Sequence, residues 1–512
     1  MMVRVRKDSV GILGLSRSGL GCAKLYSHLG FKVRGFDDNY NLTIPQEYSQ
    51  YFYEVYLGKQ PQYVINEIKN YKFLVVSPGV PFDHHIIQFA KSVKVPVISE
   101  VEAAYKAIPQ KKMLIGITGT NGKSTVSALT YQLIKAHDDN NIYLGGNIGY
   151  PFSEIAYQCI GIDDPTIILE LSSFQLKMTN YLRTQIALIT NITSDHLDRH
   201  ITLQDYVSSK LKLFYFQLKK DYCIININDE NTNKHIDRSV LKSAINYFSR
   251  NYIDLSTIRN GLFKAFYRDG VIFIRNLKKQ RDVFQLDLSE VNNPIFKQEG
   301  IYLDNLIPSL LASFIYLKVI KKSDMVDRKV VEVLDNFAPL EYRLKPVTSW
   351  ANIEFFNDSK ATNLAATKSS IETVKNYFIK NEVRRYGIIL LIGGVPKYPS
   401  KEELWKEIEQ LSYSIKDDIV GVISFGKYAD IFISPFIKQS CKYMYAFNNL
   451  ESAFYKAISL ACLERENFDR IAILLAPGGA SFDEFKSAEE RGKWFEKLVE
   501  SFLKQGIVPL GG

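Results

Sequence analysis

The segment MLIGITGTNGKST at residues 113–125 restricts the fold of this chain more than any other feature. Its first five residues form an apolar run that is typical of a buried parallel strand. The residues after the glycine loop place their apolar side chains on one face of a helix. The segment therefore predicts a strand, a glycine loop and a helix in direct succession.

The loop itself has the composition of a phosphate cradle. Glycines at 119 and 122 allow successive backbone N–H groups to turn toward a polyanion at the N-terminus of the helix. Lys123 can reach the outer phosphates, and Ser124 or Thr125 can ligate Mg²⁺. The sequence predicts a nucleotide triphosphate here, with an ordinary glycine turn as the alternative.

The spacing of this loop is not that of the Walker A motif. That motif requires glycine five positions before Gly122, where this chain has Ile117, and Gly116 lies one position too early. The loop is therefore a variant of the Walker A phosphate-binding loop.

The N-terminal segment reads as a Rossmann-like unit, with a strand at 9–13, a helix at 19–29 and a strand at 31–36. Ser16 breaks the GxGxxG spacing that dinucleotide-binding loops require. A dinucleotide is thus disfavoured. A nucleoside diphosphate on this loop, with Asp37 near its ribose or base, fits the pattern, and a purely structural glycine turn is the alternative.

Two apolar strands further on deliver polar residues at their ends. Glu170 interrupts the apolar run of TIILELSSFQL, so it is expected to be desolvated unless it meets a cation. His196 follows the strand of ALITNITSDHLDRH. Because the same segment carries the phosphate loop, these side chains are candidate Mg²⁺ ligands, with structural roles as the alternative.

The C-terminal segment carries IEFFNDSKATN, an amphipathic strand that ends in polar residues. Asp358 could hold ATP, a metal or a cation, while Lys360 and Thr362 could bind an anion. Two later buried strands end in glycine turns next to Lys397 and Ser481, for which surface or turn roles are the alternative.

Bulk properties set the fold class and the compartment. At 512 residues and 46% apolar content, the chain is expected to form three domains, at 1–108, 109–340 and 341–512. The net charge of +9 comes from scattered cations, which argues for anionic ligands and against nucleic acid. The five cysteines show no CxxC spacing, which fits a reducing cytoplasm. We identify no apolar segment approaching the roughly 18 residues of a membrane span.

Six motifs together resemble the Mur ligase family: GITGTNGKST, GGNIG, ELSSFQL, NITSDHLDRH, NDSKATN and SFDEFKSAEERG. The similarity is greatest to the D-glutamate-adding member. It implies an α/β fold with a Rossmann-like N-terminal domain, a central P-loop ATPase domain with a parallel sheet, and a Rossmann-like C-terminal domain. It also implies a cytoplasmic, ADP-forming ligase that extends UDP-N-acetylmuramoyl-L-alanine with D-glutamate during peptidoglycan precursor synthesis. We expect a monomer.

The resemblance also assigns roles residue by residue. To ATP it assigns Gly119, Thr120, Asn121, Gly122, Lys123, Ser124, Thr125, Asn305, Arg343, Asp358 and Lys360. To two Mg²⁺ ions it assigns Ser124, Glu170, His196 and Lys210. To the UDP substrate it assigns Arg17, Ser18, Asp37, Asn147, Ser172 and Gln175, and to D-glutamate it assigns Thr362, Lys397 and Ser481. As catalytic residues it assigns Lys123, His196 and Lys210.

Lys210 and His196 carry the most specific of these assignments. Lys210 lies in DYVSSKLKLF, which resembles the motif of the family's carbamylated lysine; a carbamate would make it an anionic metal ligand. By residue type alone, a helical lysine is expected on the surface. His196 is a candidate acceptor for the proton of the attacking amine.

The chain departs from the family pattern at two places. The GxHNxxN stretch that touches adenine is represented by EGIYLDN, which keeps Asn305 but has Tyr302 where the first asparagine belongs. The acidic residue expected after Gly393 and Gly394 is replaced by Val395 and Pro396.

The sequence is compatible with other functions as well. The chain could add a different amino acid, or be an amide ligase like folylpolyglutamate synthase, because GTNGKS occurs in all of these. It could also be a P-loop ATPase switch without amino-acid dependence. A dehydrogenase is the weakest alternative, because the loops lack the dinucleotide spacing.

Overall fold

The computed structural model describes residues 8–108, 111–138, 141–195, 200, 202–238, 241–250, 261–296, 300–398, 400–437 and 441–505. Three sheets dominated by parallel pairs follow one another along the chain. The predicted α/β class is confirmed.

The first sheet has the order β3-β2-β1-β4-β5, and the pairs between its neighbouring strands are parallel. Every residue of its central strand is buried, as expected for a strand covered by helices on both faces. The strands are β1 (Ser9–Leu13), β2 (Lys32–Asp37), β3 (Glu54–Leu57), β4 (Leu74–Val76) and β5 (Val97–Ser99). The helices are α1 (Arg17–His28), α2 (Gln46–Ser49), α3 (Gln62–Glu67), α4 (His85–Ser92) and α5 (Glu100–Ala107).

The second sheet has nine strands in the order β14-β13-β12-β11-β10-β9-β6-β8-β7. Its pairs from β7 to β12 are parallel, and β12 and β13 form an antiparallel pair. The strands are β6 (Met113–Thr118), β7 (Ile142–Gly146), β8 (Thr166–Glu170), β9 (Ile186–Ile189), β10 (Tyr222–Asn226), β11 (Ala244–Ser249), β12 (Phe263–Arg268), β13 (Val271–Asn276) and β14 (Arg281–Asp287). The helices between β6 and β15 in the chain are α6 (Lys123–His137), α7 (Phe152–Gln158), α8 (Ser173–Lys177), α9 (Leu203–Tyr215), α10 (Glu230–His235), α11 (Ile301–Phe314) and α12 (Asp327–Asp335).

The third sheet has the order β15-β16-β20-β17-β18-β19, with an antiparallel pair only at its β15 edge among the described residues. An apolar cluster covers each face of this sheet. The buried side chains of β17 and β20 alternate along the strand between the two clusters. The strands are β15 (Lys345–Trp350), β16 (Ile353–Asn357), β17 (Tyr386–Gly393), β18 (Ile419–Phe425), β19 (Tyr443–Phe447) and β20 (Arg470–Gly478). The helices are α13 (Leu364–Lys380), α14 (Lys401–Ile415), α15 (Ala429–Ile437), α16 (Leu450–Glu464) and α17 (Ala488–Gln505).

The chain divides into two compact units. The first contains residues 1–192, 204–286 and 307–333, and so includes the first two sheets. The second contains residues 193–203, 287–306 and 334–512, and so includes the third sheet. The domain boundaries 1–108, 109–340 and 341–512 stay a prediction.

One helix departs from the expectation that no apolar segment approaches the length of a membrane span. Helix α11 continues as a π-helix over Ile315–Lys321, which gives an uninterrupted helix of 21 residues with a mean hydropathy of 1.4. Of its most apolar window, 78% is buried inside the protein. The apolar composition is therefore explained by packing in the protein core.

Glu100 gives the first unit a pH-dependent stability. Its side chain is fully buried, and its Oε1 accepts a hydrogen bond from the backbone N–H of Ser153 at 2.6 Å. Oε2 has no hydrogen-bond partner among the described residues. Burial raises the pKa of Glu100 to about 7, although the bond from Ser153 opposes the shift. The folded protein therefore keeps a proton on this carboxyl that the unfolded chain releases near pH 4.5.

We expect the free energy of unfolding to fall as pH rises from about 4.5 to 7, by up to about 1.4 kcal/mol per pH unit from this group. Glu100→Gln should remove that part of the slope, because glutamine does not titrate. Urea unfolding at pH 5, 6 and 7 measures the slope. Glu102→Gln is the control, since Glu102 is equally buried on the same helix and accepts bonds from the Asn180 and Tyr181 N–H groups. If both variants keep the wild-type slope, Glu100 is not its source.

Candidate active site

The predicted phosphate loop lies between β6 and α6, and two of its glycines have conformations that other residues rarely adopt. Gly119 has φ +146°, and a Cβ atom at this position would lie 1.9 Å from the hydroxyl oxygen of Thr190. Gly122 has φ +83° and caps the N-terminus of α6. The loop thus requires glycine at both positions, for close packing at one and for a left-handed turn at the other.

Lys123 is the first residue of the 15-residue helix α6, whose initial N–H groups lack partners within the helix. Its ammonium group donates hydrogen bonds to the carbonyl oxygens of Gly119 at 2.9 Å and Thr120 at 2.6 Å. Ser124 is half-buried and Thr125 is buried in the same first turn. Positive charge, helix N-terminus and hydroxyl groups therefore meet at one end of α6, which suits a polyphosphate with its metal.

Two residues that the sequence reasoning missed hold this loop in place. Asn191 accepts a hydrogen bond from the backbone N–H of Asn121 at 2.9 Å and donates one to its carbonyl oxygen at 3.2 Å. Thr190 donates to the same carbonyl at 2.6 Å. Both residues directly follow β9, and their position at a strand end was the available signal.

Glu170 has the environment expected of a metal-binding carboxylate. It is 1% exposed, and its Oε1 accepts a hydrogen bond from the side-chain amide of Asn147 at 2.8 Å. Its Oε2 is buried and has no hydrogen-bond partner among the described residues. A buried anionic oxygen in this state costs free energy unless a cation meets it, so Glu170 fits Mg²⁺.

His196 is the next residue assigned to Mg²⁺. His196 lies outside the described residues. Within the described part of the chain, no three His, Cys, Asp or Glu side chains form a group that could hold a metal.

Lys210 lies beside the phosphate loop. Its side chain is 1% exposed, so the surface position expected from residue type alone is wrong. Its ammonium group donates to the carbonyl oxygen of Gly119 at 2.5 Å and lies 4.5 Å from the ring centre of Tyr206. The hydroxyl groups of Tyr206 and Thr120 lie 3.0 Å apart. Carbonyl and ring therefore compensate the burial of the lysine charge.

A pocket of about 240 Å³ lies at the carboxyl ends of the first sheet's strands. Asp37 lines it and accepts hydrogen bonds from the backbone N–H groups of Leu15 and Asn39. The neighbouring Asp38 lies 3.0 Å from Nε2 of His84, which also lines the pocket. Because Nδ1 of His84 accepts from the N–H of Ile86, Nε2 carries the proton that is donated to Asp38.

Other residues assigned to the UDP substrate make contacts within the first unit. The guanidinium of Arg17 donates to the carbonyl oxygen of Gly149, and the carbonyl of Ser18 accepts from the hydroxyl of Ser153 at 3.4 Å. Ser172 and Gln175 form a capping box at the start of α8. The S-x-x-Q spacing is the sequence signature of such a cap, so these side chains serve the helix, and a substrate contact remains a prediction.

In the second unit, two residues assigned to D-glutamate meet directly. Lys397 donates a hydrogen bond to the hydroxyl of Thr362 at 2.9 Å and lies 3.2 Å from a carboxylate oxygen of Asp195. The other oxygen of Asp195 accepts from the side-chain amide of Asn363 at 3.1 Å. Asp195, which the sequence reasoning did not single out, therefore places a carboxylate directly beside Lys397.

Ser481 belongs to a loop that lies against the Lys397 loop. Val395 and Ala480 exchange two backbone hydrogen bonds, at 2.7 and 2.8 Å.

The guanidinium of Arg491, which was also missed, is fully buried. It donates to the hydroxyl of Ser359 at 3.0 Å and to the carbonyl of Gly479 at 3.1 Å. Burial lowers the pKa of Arg491 to about 10, with opposing attraction from Asp483 and Glu484. Arg491 therefore joins the loop that contains Ser359 to the glycine loop before Ser481.

The residues assigned to ATP in this unit fall into two environments. Asp358 is buried and accepts from the hydroxyl of Ser370 at 2.5 Å; burial raises its pKa, which that bond and the Arg343 charge oppose. Lys360 pairs with Glu489 near the surface.

Tyr302 of α11 replaces the asparagine that the family pattern predicts. Its hydroxyl donates a hydrogen bond to the carbonyl oxygen of Arg343 at 2.7 Å. Asn305 lies one turn further along α11 and is 5% exposed.

Two family models match the chain. The Mur ligase middle domain matches residues 117–253, and the Mur ligase MurD-like N-terminal domain matches residues 8–99. The first match includes the phosphate loop and Glu170, and the second includes the Asp37 pocket.

Curated relatives match over nearly the whole chain. The UDP-N-acetylmuramoylalanine–D-glutamate ligase of Lactococcus lactis subsp. cremoris strain MG1363 is 30% identical over 510 residues, which cover 98% of this chain and 99% of the relative. The enzyme of the same name from Streptococcus pyogenes serotype M12 strain MGAS2096 is 30% identical over 489 residues, covering 94% and 95%.

Solved structures agree on the fold. MurF from Acinetobacter baumannii superimposes with a TM-score of 0.56 at 14% identity, covering 87% of this chain and 89% of that one. UDP-N-acetylmuramate–alanine ligase MurC from Thermotoga maritima gives a TM-score of 0.52 at 14% identity, covering 97% and 99%. The predicted three-domain α/β fold is confirmed.

Proposed function

Because this chain belongs to the Mur ligase family, we propose that it adds D-glutamate to UDP-N-acetylmuramoyl-L-alanine in peptidoglycan precursor synthesis, with conversion of ATP to ADP and phosphate. The observation that carries this proposal is the full-length similarity to ligases of that name, together with a phosphate loop whose geometry suits ATP.

The reaction requires activation of a carboxylate, which is a poor electrophile at neutral pH. The carboxylate of the alanyl residue attacks the γ-phosphorus of ATP, the bond to ADP breaks, and an acyl phosphate forms. The amine of D-glutamate then attacks the acyl carbon, inorganic phosphate leaves and an amide bond remains. The amine loses a proton in this step, and His196 is its proposed acceptor.

The first unit supplies the phosphate site in this proposal. The N–H groups at the start of α6 bind the phosphate oxygens, and Lys123 neutralises the charge that two anions bring together. Mg²⁺ supplies further charge neutralisation on the phosphates when it is bound. Glu170 and Ser124 would hold one ion. A second ion, with carbamylated Lys210 and His196 as ligands, is part of the proposal and rests on the resemblance.

The pocket lined by Asp37 is proposed to take the uridine diphosphate end of the substrate. Its position at the carboxyl ends of parallel strands is where nucleotides bind in open α/β sheets. Asp37 is already oriented by the Leu15 and Asn39 N–H groups, so no rearrangement of this side chain is needed to accept a hydroxyl or N–H donor.

The second unit supplies the amino-acid site. D-glutamate brings two carboxylates, and its amine must stay unpaired to react. The Lys397 ammonium, held between Thr362 and Asp195, offers charge to one carboxylate, and the Ser481 loop offers hydrogen-bond donors to the other. Asp358, Arg343, Asn305 and Lys360 are proposed to contact ATP.

The setting of the enzyme follows from these substrates. Nucleotide-linked precursors and ATP are cytoplasmic, so we place the enzyme in the cytoplasm. We propose that it acts as a monomer.

The test is phosphate release by the purified protein with ATP, Mg²⁺ and UDP-N-acetylmuramoyl-L-alanine, with D-glutamate, L-glutamate, L-lysine, L-alanine or no amino acid. We expect release that depends on D-glutamate. Release with another amino acid would indicate a different Mur ligase, and inactivity with this UDP substrate would favour a folylpolyglutamate synthase-like ligase. Release that needs no amino acid would indicate an ATPase switch.

A further inference from the structure

Asn191 joins the phosphate loop to the end of β9 through hydrogen bonds. Its side-chain amide bonds both the N–H and the carbonyl oxygen of Asn121, so it fixes that peptide segment at two points. The backbone carbonyl of Asn191 accepts a third bond from the N–H of Thr120 at 2.8 Å. The Thr190 hydroxyl occupies the space that a side chain at Gly119 would need. Thr190 and Asn191, the two residues after β9, therefore fix the backbone groups of Thr120 and Asn121 and the space beside Gly119.

The segment that carries Asn191 is itself held by hydrogen bonds to two residues after β10. The Asp229 carboxylate accepts the N–H of Ile192 at 3.1 and 3.2 Å, and the Asn231 amide donates to the Ile192 carbonyl at 2.8 Å. Asp229 also caps α10 by accepting the N–H of Thr232 at 2.9 Å. These bonds fix the backbone next to Asn191, so its side-chain amide is held in position to bond Asn121.

We propose that Asn191 is a positioning residue that presets the phosphate loop for nucleotide, and that Thr190 assists it. The inference rests on the proposed function in one respect, namely that residues 119–125 bind a nucleotide. A phosphate cradle binds through N–H groups that must all point inward, so a loop held in that state before binding loses less conformational freedom. Asn191 acts through the loop and need not touch the nucleotide.

The test is Asn191→Ala, which removes both side-chain bonds to Asn121 without adding charge. We expect the Kd for ADP with Mg²⁺, measured by titration calorimetry, to rise about tenfold, as the loss of two hydrogen bonds implies. The Kd for UDP-N-acetylmuramoyl-L-alanine should stay within about twofold of wild type. In turnover, the KM for ATP should rise more than kcat falls, because the chemical groups remain.

A second variant keeps the test informative if Asn191→Ala folds poorly. Thr190→Val keeps the shape of the side chain and removes the hydroxyl, which donates to the carbonyl oxygens of Asn121 at 2.6 Å and Thr118 at 3.4 Å, so we expect about a threefold rise in the Kd for ADP. The matched control is Asn246→Ala in β11. Asn246 is fully buried and bonds three backbone groups, those of Cys223, Ala244 and Phe263, none of which belongs to the phosphate loop.

Asn246→Ala should lower the thermal midpoint and leave the Kd for ADP unchanged. Unchanged ADP affinity in both Asn191→Ala and Thr190→Val overturns the inference. An equal loss of ADP affinity in Asn246→Ala also overturns it, because the effect would then be general destabilisation. Wild-type protein that binds no ADP would instead refute the proposed function of the loop.

Discussion

Lys123→Ala is expected to lower D-glutamate-dependent phosphate release by about 10²- to 10³-fold. The side chain is the cation of the phosphate loop, where its ammonium group lies against the carbonyl oxygens of Gly119 and Thr120. The first chemical step joins two anions, so loss of this charge raises its barrier more than it weakens substrate binding. Initial rates at saturating ATP measure the effect.

Lys135→Ala is the matched control, because Lys135 lies on the same helix and is exposed. It should retain wild-type turnover. Binding of UDP-N-acetylmuramoyl-L-alanine to Lys123→Ala should stay within about twofold of wild type, since its proposed pocket lies at the first sheet. If Lys123→Ala loses UDP-substrate binding together with turnover, the division of tasks between loop and pocket is wrong.

Glu170→Gln is expected to lower turnover by about a hundredfold or more and to raise the Mg²⁺ concentration needed for half-maximal rate. Glutamine keeps the shape of the side chain and the acceptor for Asn147, but removes the negative charge that attracts the ion. In EDTA the variant should be as stable as wild type or more stable, because a buried carboxylate oxygen without a hydrogen-bond partner is removed. Phosphate release across Mg²⁺ concentrations and urea unfolding in EDTA measure both effects.

Glu154→Gln serves as the comparison for this experiment. Glu154 is also buried in the first unit, but both of its oxygens have partners, in Lys24 and Tyr48. It should lose stability and keep its Mg²⁺ dependence. A Glu170→Gln variant that loses stability in EDTA but needs no more Mg²⁺ would show a structural role for Glu170.

The local parts of the site could be predicted from the sequence. An apolar run, two glycines and Lys123 define the strand, loop and helix through rules that act over a few residues, and the structure has them at 113–118, 119–122 and 123–137. Glu170 was predicted to be desolvated from its apolar neighbours alone, and it is buried. The capping box at Ser172 was readable from its spacing, although substrate contact was inferred there instead.

Long-range contacts could not be predicted in this way. The pairing of Asp195 with Lys397 joins residues 202 positions apart, and no local pattern indicates it. The contact of Asn191 with Asn121 depends on β6 and β9 being neighbours in the sheet, which is a property of topology. Lys210 is buried because α9 places it against Gly119, whereas its residue type favours solvent. Functional residues that act by holding others are therefore the ones that a single sequence conceals.

The proposed reaction joins D-glutamate to the UDP substrate through an acyl phosphate, and one isotope experiment tests both parts. UDP-N-acetylmuramoyl-L-alanine labelled with oxygen-18 in its carboxylate is incubated with enzyme, ATP, Mg²⁺ and D-glutamate, and product and phosphate are weighed by mass spectrometry. We predict a product heavier by one glutamyl residue and one labelled oxygen in each phosphate released. Unlabelled phosphate would refute the acyl phosphate, and phosphate release without the glutamyl product would refute D-glutamate addition.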